Sequence, residues 1–294
     1  MSKRAPDPRT DPDVPAGMSI DLLKDLHLLT RDGQLNADAR RKLKQIRHLV
    51  GLLRPALTDA LERAPSPLVV DCGAGKSYLG ALLYELVLGP AGRGTLLAIE
   101  ARPELSEQAA ARAARFGQDR FRIATGEIAT AALPDRPQLV TALHACDTAS
   151  DDALVLAITS GADHVAVVPC CQAEVARQLE GSRGTDVASA ALFTHGLHRR
   201  EFGSHLTNVV RGLALAAHGY QVTVTELVGW EHAAKNELIL GRRVGRFDRQ
   251  ARATLKALLD RYRVEPAIVR ELTARGLDPR VEVPGGASAP PATA

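Results

Sequence analysis

The chain has 294 residues, of which 45% are hydrophobic, and its formal net charge is +3. This length allows one large domain with additions or two small ones, and the apolar fraction is sufficient for a full core. No apolar run approaches the roughly 18 residues of a membrane span, and the first eight residues lack the apolar segment of a secretory signal. The four cysteines do not have the spacing of a secreted disulfide domain. We therefore expect a reduced, cytoplasmic setting, and a mildly basic charge permits a nucleic-acid partner without demanding one.

The region before residue 65 is predicted to be helical after a disordered tail. Residues 1–17 are rich in Pro and Asp without periodicity, which is typical of disorder. Over residues 18–64, apolar residues recur at helical spacing and indicate two amphipathic helices, the first ended by the turn at residues 31–33 and the second from about Ala37 to Arg63. The polar face of this second helix is basic and would either be solvated or contact phosphates. Its basic residues are Arg40, Arg41, Lys42, Lys44, Arg47 and His48.

From residue 65 to residue 245, short apolar runs alternate with helical stretches. The predicted strands are 68–72, 94–100, 121–125, 138–143, 164–168, 220–228 and 237–240. The predicted helices are 77–88, 103–117, 147–160, 172–180 and 186–218. This alternation indicates an α/β domain whose mostly parallel sheet has helices on both faces and ends in an antiparallel pair. Residues 246–282 are again helical and basic, and residues 283–294 form a second predicted tail.

The segment Leu68–Ser77 is the most informative in the chain. It combines a β-branched strand, an acid, two glycines one residue apart and the start of a helix. Glycines can adopt positive φ and let a cofactor lie against the backbone, and a helix N-terminus offers free N–H groups to a carboxylate. A P-loop would need glycine at Val70, and a dinucleotide fold would need it at Tyr78. Asp-x-Gly-x-Gly after a first strand is instead typical of S-adenosylmethionine-dependent methyltransferases.

Further candidate ligands follow the second and third strands, at the carboxyl edge where open α/β sheets bind ligands. The two carboxylate oxygens of Glu100 match the two hydroxyls of a ribose, although Glu100 would also serve simply to begin the next helix. Gly126 and Glu127 would lie beside an adenine or cap a helix.

Chemically versatile side chains are predicted at the same edge. They are Cys72 at the end of the first strand, His144, Cys146 and Asp147 after the fourth, and Cys170 and Cys171 after the fifth. Four interpretations stay open. These residues could line a tight cofactor pocket, or His144 and Asp147 could orient the substrate and transfer a proton. A thiolate of Cys146 or Cys170 could act as a nucleophile. The cysteines and His144 could bind a metal, but adjacent cysteines chelate poorly and no Cys-x-x-Cys is present, so we expect none.

Three motifs in order resemble those of one class I methyltransferase family. They are Asp-Cys-Gly-Ala-Gly-Lys-Ser-Tyr-Leu-Gly (71–80), Ala-Leu-His-Ala-Cys-Asp-Thr-Ala (142–149) and Pro-Cys-Cys-Gln (169–172). This family includes the methyltransferase domain of the glutathione S-transferase C-terminal domain-containing protein. It is related to the eukaryotic tRNA 2′-O-methyltransferases that act on the acceptor stem. The resemblance covers about residues 42–242 and implies a Rossmann-like fold, a seven-stranded sheet with helical extensions at both ends, and S-adenosylmethionine as cofactor.

The resemblance also implies which residues act. Expected cofactor contacts are Asp71, Cys72, Gly73, Ala74, Gly75, Lys76, Glu100, Ala101, Gly126, Glu127 and His144. His144, Asp147 and Cys170 are the candidates for the methyl-transfer face. The expected acceptor is structured RNA, either tRNA or rRNA, bound through the basic flanking helices. The alternatives are a small-molecule or protein methyltransferase, or a non-catalytic cofactor-binding scaffold. We expect no membrane partner.

Overall fold

A seven-stranded sheet organises the molecule. The computed structural model describes residues 10–30, 32–143, 145, 147–169, 173–181, 187–226 and 237–281. The strands are β1 (Leu68–Cys72), β2 (Thr95–Glu100), β3 (Phe121–Thr125), β4 (Leu139–Ala142), β5 (His164–Val167), β6 (Tyr220–Glu226) and β7 (Glu237–Arg243). Their order is β3-β2-β1-β4-β5-β7-β6, and β7 runs antiparallel to both of its neighbours. This confirms the predicted class I methyltransferase sheet and its antiparallel end.

The course of the chain places a crevice at the carboxyl ends of β1 and β4. The chain runs outward from β1 to β3 and then returns to β4 on the other side of β1, where Val69 lies opposite both Leu96 and Leu139. Such a reversal of strand order separates the loops that follow the two central strands. The loops after β1 and β4 therefore border the crevice in which a ligand can bind.

Helices cover both faces of the sheet, as predicted. They are α1 (Ile20–Asp25), α2 (Ala37–Arg63), α3 (Tyr78–Leu83), α4 (Pro103–Arg115), α5 (Ala149–Ser160), α6 (Glu174–Gly181), α7 (Val187–Thr194), α8 (Gly196–Ala217), α9 (Arg249–Tyr262) and α10 (Ala267–Ala274). The first four pack on one face, where Leu53 and Leu82 join a core cluster with Val69. Helices α5, α8, α9 and α10 pack on the other, where Leu255 joins a cluster with Val140. Among the described helices, none is long and apolar enough to cross a bilayer.

Three helical boundaries differ from the predicted ones. Helix α1 ends at Asp25, because the left-handed backbone of His27 (φ 55°) turns the chain away. The stretch predicted as one helix over 186–218 is two, since His195 is extended between α7 and α8. Helix α3 continues as a π-helical turn, Tyr84–Leu88, closed by a 2.7 Å bond from Gly89 N–H to the carbonyl of Tyr84.

The segment before α1 packs on the basic face of α2. Residues 10–17 were assigned to a disordered tail, but Val14 is buried, and Asp11 and Asp13 form ion pairs with Arg40 at 2.7 and 3.1 Å. Arg47 also donates to the carbonyl of Pro12 at 2.6 Å. Opposite charges explain this contact, and they neutralise part of the basic face predicted to contact RNA.

Candidate active site

The turn after β1 adopts the conformation that its glycines predict. Gly73 and Gly75 have φ values of 61° and 58°, in the left-handed region that residues with a Cβ rarely adopt. The Ala74 N–H donates to the carbonyl of Ile99 at 3.0 Å and ties the turn to β2. A Cβ added at Gly73 would lie 3.1 Å from the Cβ of Ala145. The turn therefore passes close to the loop after β4, and its backbone forms the surface of the crevice.

Two predicted cofactor residues lie beneath this turn. Asp71 is buried and accepts a 3.1 Å hydrogen bond from the Thr141 hydroxyl. Burial raises the pKa of the Asp71 carboxyl to about 7, against the opposing effect of hydrogen bonds from Thr141 and Gly80. The Cys72 side chain is fully buried in the core, and this burial raises the pKa of its thiol. The structure thus places the Cys72 thiol in the core and not at the ligand-binding edge.

Glu100 lies at the centre of the crevice wall. Its Oε2 accepts from the Gly75 N–H at 2.7 Å, and its Oε1 accepts from the backbone and side chain of Arg102 at 3.1 and 2.7 Å. Burial raises the pKa of Glu100, but these hydrogen bonds and the guanidinium charge outweigh it, so the net pKa is lowered. A carboxylate oxygen can accept two hydrogen bonds, so Oε2 retains capacity for a hydroxyl. An ionised Glu100 beside the turn is therefore suited to a ribose.

The predicted residues after β2 and β3 adjoin Glu100. The Gly126 N–H donates to the carbonyl of Glu100 at 3.0 Å, so the loops after β2 and β3 are in contact. Ala101, Glu127 and Lys76 are exposed, and no atom lies within 4 Å of a Cβ added at Gly126. The three loops form one continuous wall with space beside it.

The loop after β4 is held by contacts that reach it from two helices. The Ser150 hydroxyl donates to the carbonyl of Ala145 at 2.6 Å, and Arg211 donates to the carbonyl of Asp147 at 3.0 Å. Asp147 has a φ of 51°, and its carboxylate accepts a long 3.4 Å bond from the Ala173 N–H in the loop after β5. Asp147 therefore bridges the two loops predicted to form the methyl-transfer face.

Several residues predicted to act in these two loops lie outside the described part of the chain. They are His144, Cys146, Cys170 and Cys171. The proton-transfer, thiol and metal interpretations of these residues remain predictions. Within the described ranges, no three His, Cys, Asp or Glu side chains are grouped as metal ligands would be.

Arg211 was missed in the sequence analysis. Its Nε and Nη2 donate to the two carboxylate oxygens of Asp151, each at 2.8 Å, and both side chains are at most 2% exposed. Burial raises the pKa of Asp151, and the guanidinium of Arg211 opposes that rise. Its sequence position offered a signal, because Arg211 lies on the same face of α8 as Ala214 and Leu215, three and four residues on, and a charge on an apolar helix face implies a buried partner.

Comparison with known proteins places this site in a recognised domain. Residues 41–178 match the model of a family described as "Methyltransferase domain", a range that begins in α2 and ends in α6. No curated protein is detectably similar in sequence.

Among solved structures, the magnesium protoporphyrin IX methyltransferase of Synechocystis PCC 6803 with bound SAH is 14% identical. That match covers 76% of this chain and 93% of that chain, with a TM-score of 0.45. An rRNA methylase from Streptococcus thermophilus is 10% identical over 65% of this chain and 94% of that chain, with a TM-score of 0.40. Both similarities are too weak to indicate a substrate.

Proposed function

We propose that this chain, which is an S-adenosylmethionine-dependent methyltransferase, methylates structured RNA. The reaction class and the cofactor follow from the family match over residues 41–178 and the class I sheet. The observation that carries the choice of acceptor is a groove of about 910 Å³ beside the turn after β1. Helices α1 and α4 and the start of α3 line this groove.

Cations outnumber carboxylates in the groove. The charged residues that line it are Lys24, Lys76, Arg112, Arg115, Asp21 and Asp25. Arg112 bonds to Asp25 at 2.5 Å, and Arg115 bonds to the other oxygen of the same carboxylate. The ammonium groups of Lys24 and Lys76 have no carboxylate partner within the described residues. Phosphates would supply the missing acceptors, and basic grooves of this kind bind RNA backbones in a salt-dependent way.

The groove also offers aromatic surface and a direct connection to the cofactor crevice. Tyr78 and Phe116 line it, and aromatic rings stack with unpaired bases. Lys76 belongs both to the turn after β1 and to the groove, so RNA bound there would lie beside the cofactor. The family that this sequence resembles is related to the tRNA 2′-O-methyltransferases, and that kinship supports the same acceptor.

The basic face of α2 is a weaker candidate than its sequence predicts. Arg40 is paired with Asp11 and Asp13, whereas Arg41 and Lys44 remain exposed. An RNA phosphate would have to displace two carboxylates to reach Arg40. We therefore assign the main RNA contact to the groove and a secondary one to α2.

We assign cofactor binding to the backbone of Gly73–Lys76 and to Glu100, Ala101, Gly126 and Glu127. When bound, S-adenosylmethionine supplies an electrophilic methyl group. Methyl transfer is an in-line displacement, so most of the chain's contribution is to orient the acceptor. A hydroxyl acceptor must also lose a proton, and we propose the half-buried carboxylate of Asp147, after β4, as the general base.

The test is methyl transfer from labelled S-adenosylmethionine to total RNA from cells lacking the gene, with mass spectrometry of the nucleosides. The wild-type protein should label a defined nucleoside. In the double variant Lys24→Glu/Lys76→Glu, the KM for RNA should rise at least about tenfold, because two phosphate contacts become repulsive. In the single variant Lys24→Glu, the affinity for S-adenosylmethionine should not change, because Lys24 lies on α1 and outside the turn after β1.

The double variant Lys256→Glu/Arg261→Glu is the matched control. It changes the net charge equally on α9, whose helix packs on the opposite face of the sheet. If both double variants raise the KM for RNA equally, the groove is not the binding surface. If the wild-type protein binds the cofactor but labels no nucleoside, RNA is not the acceptor.

A further inference from the structure

Arg211 connects four separate parts of the molecule. It lies on α8 and is 1% exposed. Besides its two bonds to Asp151 on α5, it donates to the carbonyl of Asp147 at 3.0 Å and to the side chain of Asn208 at 3.3 Å. Asn208 in turn donates to Glu237 at the start of β7, at 2.8 Å. The guanidinium of Arg211 thus links α8 directly to α5 and to the loop after β4, and through Asn208 to β7.

Stability alone does not account for a buried ion pair here. Removing two charges from water offsets most of their mutual attraction, and well-packed apolar pairs often stabilise a core equally well. An apolar side chain could replace the packing of Arg211 but not its bond to the carbonyl of Asp147. The planar fork of arginine can satisfy a carboxylate and a nearby carbonyl at once.

The residue that Arg211 holds has an unfavourable backbone conformation. Asp147 is a non-glycine residue at φ 51°, a conformation that persists only where the surroundings enforce it. The same loop contains Ala145, which packs against the cofactor turn at Gly73, and its sequence contains His144 and Cys146. A shift of Asp147 would therefore alter the distance between the cofactor turn and the methyl-transfer face.

We infer that Arg211 is a positioning residue for methyl transfer, which holds the loop after β4 in register with the cofactor turn through the carbonyl of Asp147. Arg211 acts through the loop and contacts neither cofactor nor acceptor. The inference rests on the methyltransferase reaction and does not require that the acceptor be RNA.

The decisive variant is Arg211→Lys, because lysine keeps the buried charge but loses the fork. Arg252→Lys is its matched control. Arg252 is also buried and donates to the carbonyls of Ala217, the last residue of α8, and of Val281. In Arg211→Lys, amide hydrogen exchange over residues 143–148 should accelerate at least about tenfold, and in Arg252→Lys it should not change.

Kinetics provides the second readout. With total RNA as acceptor, kcat should fall at least about tenfold in Arg211→Lys, since small misplacements at an active site have effects of this size. The KM for S-adenosylmethionine should stay within about twofold of the wild-type value, because the turn after β1 is intact. In Arg252→Lys both constants should stay close to those of the wild-type protein.

Two outcomes would overturn the inference. One is equal acceleration of hydrogen exchange over residues 143–148 in the two variants, and the other is a wild-type kcat in Arg211→Lys. If the wild-type protein transfers no methyl group to RNA, the proposed acceptor is wrong, while the exchange comparison still decides the role of Arg211. If Arg211→Lys does not fold, the double variant Arg211→Gln/Asp151→Asn, which removes both buried charges together, replaces it with the same expected outcomes.

Discussion

The two halves of the sheet's carboxyl edge are stabilised by contacts that differ in how far apart the bonded residues lie in the sequence. In the half formed by β1, β2 and β3, Gly75 bonds to Glu100 across 25 residues, and Glu100 bonds to Gly126 through the backbone. In the half formed by β4 and β5, Arg211 reaches Asp151 across 60 residues and Asp147 across 64. The first half is thus formed by its own strands and loops, whereas the second depends on a helix that follows β5 in the chain.

This difference separates cofactor binding from methyl transfer. The cofactor turn depends on the backbone conformation of two glycines, and the side chains that bond to it, Glu100 and Arg112, belong to the same half of the sheet. The loop after β4 depends on two distant side chains, Ser150 and the buried Arg211, and we expect the loss of Arg211 to leave the turn after β1 unchanged. Substitutions in the second half should therefore lower transfer while cofactor binding is retained, and substitutions in the first half should lower binding directly.

The largest effect is expected from Asp151→Asn, which leaves the guanidinium of Arg211 buried without its carboxylate. Breaking a buried ion pair in this way costs about 3–5 kcal/mol of the free energy of unfolding. Urea denaturation at pH 7 measures it. The control is Asp152→Asn on the same helix. Burial raises the pKa of Asp152 to about 6, so its charge is unfavourable in the folded state at pH 7, and Asp152→Asn should not lower stability. Equal losses in the two variants would show that the second half does not depend on Arg211.

A second prediction concerns Asp71, whose carboxyl connects the two halves through Thr141. Its folded pKa of about 7 lies above the ordinary value of 3.8, so the folded state binds the proton more tightly than the unfolded state. The contribution of this group to stability is therefore complete below about pH 4 and is lost as the pH rises to about 7. Asp71→Asn cannot ionise and should remove this loss, which amounts to a few kcal/mol.

The measurement is the free energy of unfolding in urea from pH 4.5 to pH 8, for the wild-type protein and for Asp71→Asn. The difference between the two proteins should grow with pH and level off above about pH 7. Parallel curves would mean that Asp71 ionises freely in the folded protein, and that the turn is less tightly packed than its burial indicates.

The same difference between contacts of short and long sequence separation explains which features could be predicted from the sequence. The alternation of strands and helices, the glycine turn and the position of Glu100 are encoded by residues within each strand and the loop after it, and the sheet confirms the predicted seven strands and antiparallel end. The role of Arg211 depends on which side chain of α5 faces it, and helical periodicity does not contain that information. For Asp71 and Cys72, the predicted and observed positions differ less. The sequence placed both residues correctly at the end of a strand, but it did not reveal that their side chains are buried beneath the turn.

A third prediction tests cofactor binding in the first half. If the ionised Glu100 accepts the ribose hydroxyls, Glu100→Gln should weaken S-adenosylmethionine binding about 10- to 100-fold, because hydrogen bonds to a charged acceptor are the stronger ones. Isothermal titration with S-adenosylmethionine measures the change. Glu104→Gln, an exposed acid in the first turn of α4, is the matched control and should bind normally. An unchanged affinity in Glu100→Gln would restrict Glu100 to holding Gly75 and Arg102.

The smallest effect is expected outside both halves, at the amino end of β5. There the carboxylate of Asp59 on α2 lies 2.7 Å from the ring of His164, and this hydrogen bond lowers the pKa of Asp59. The contribution to stability is therefore present above about pH 4 and is lost as the pH falls through the lowered pKa. Because Asp59 is partly exposed, solvent screening should limit the effect of Asp59→Asn to about 1 kcal/mol or less at pH 7. Its affinity for S-adenosylmethionine should equal that of the wild-type protein, because β5 separates this contact from the carboxyl edge. A weaker affinity would show that α2 and the crevice are coupled through the sheet, and the two halves could then no longer be treated as independent.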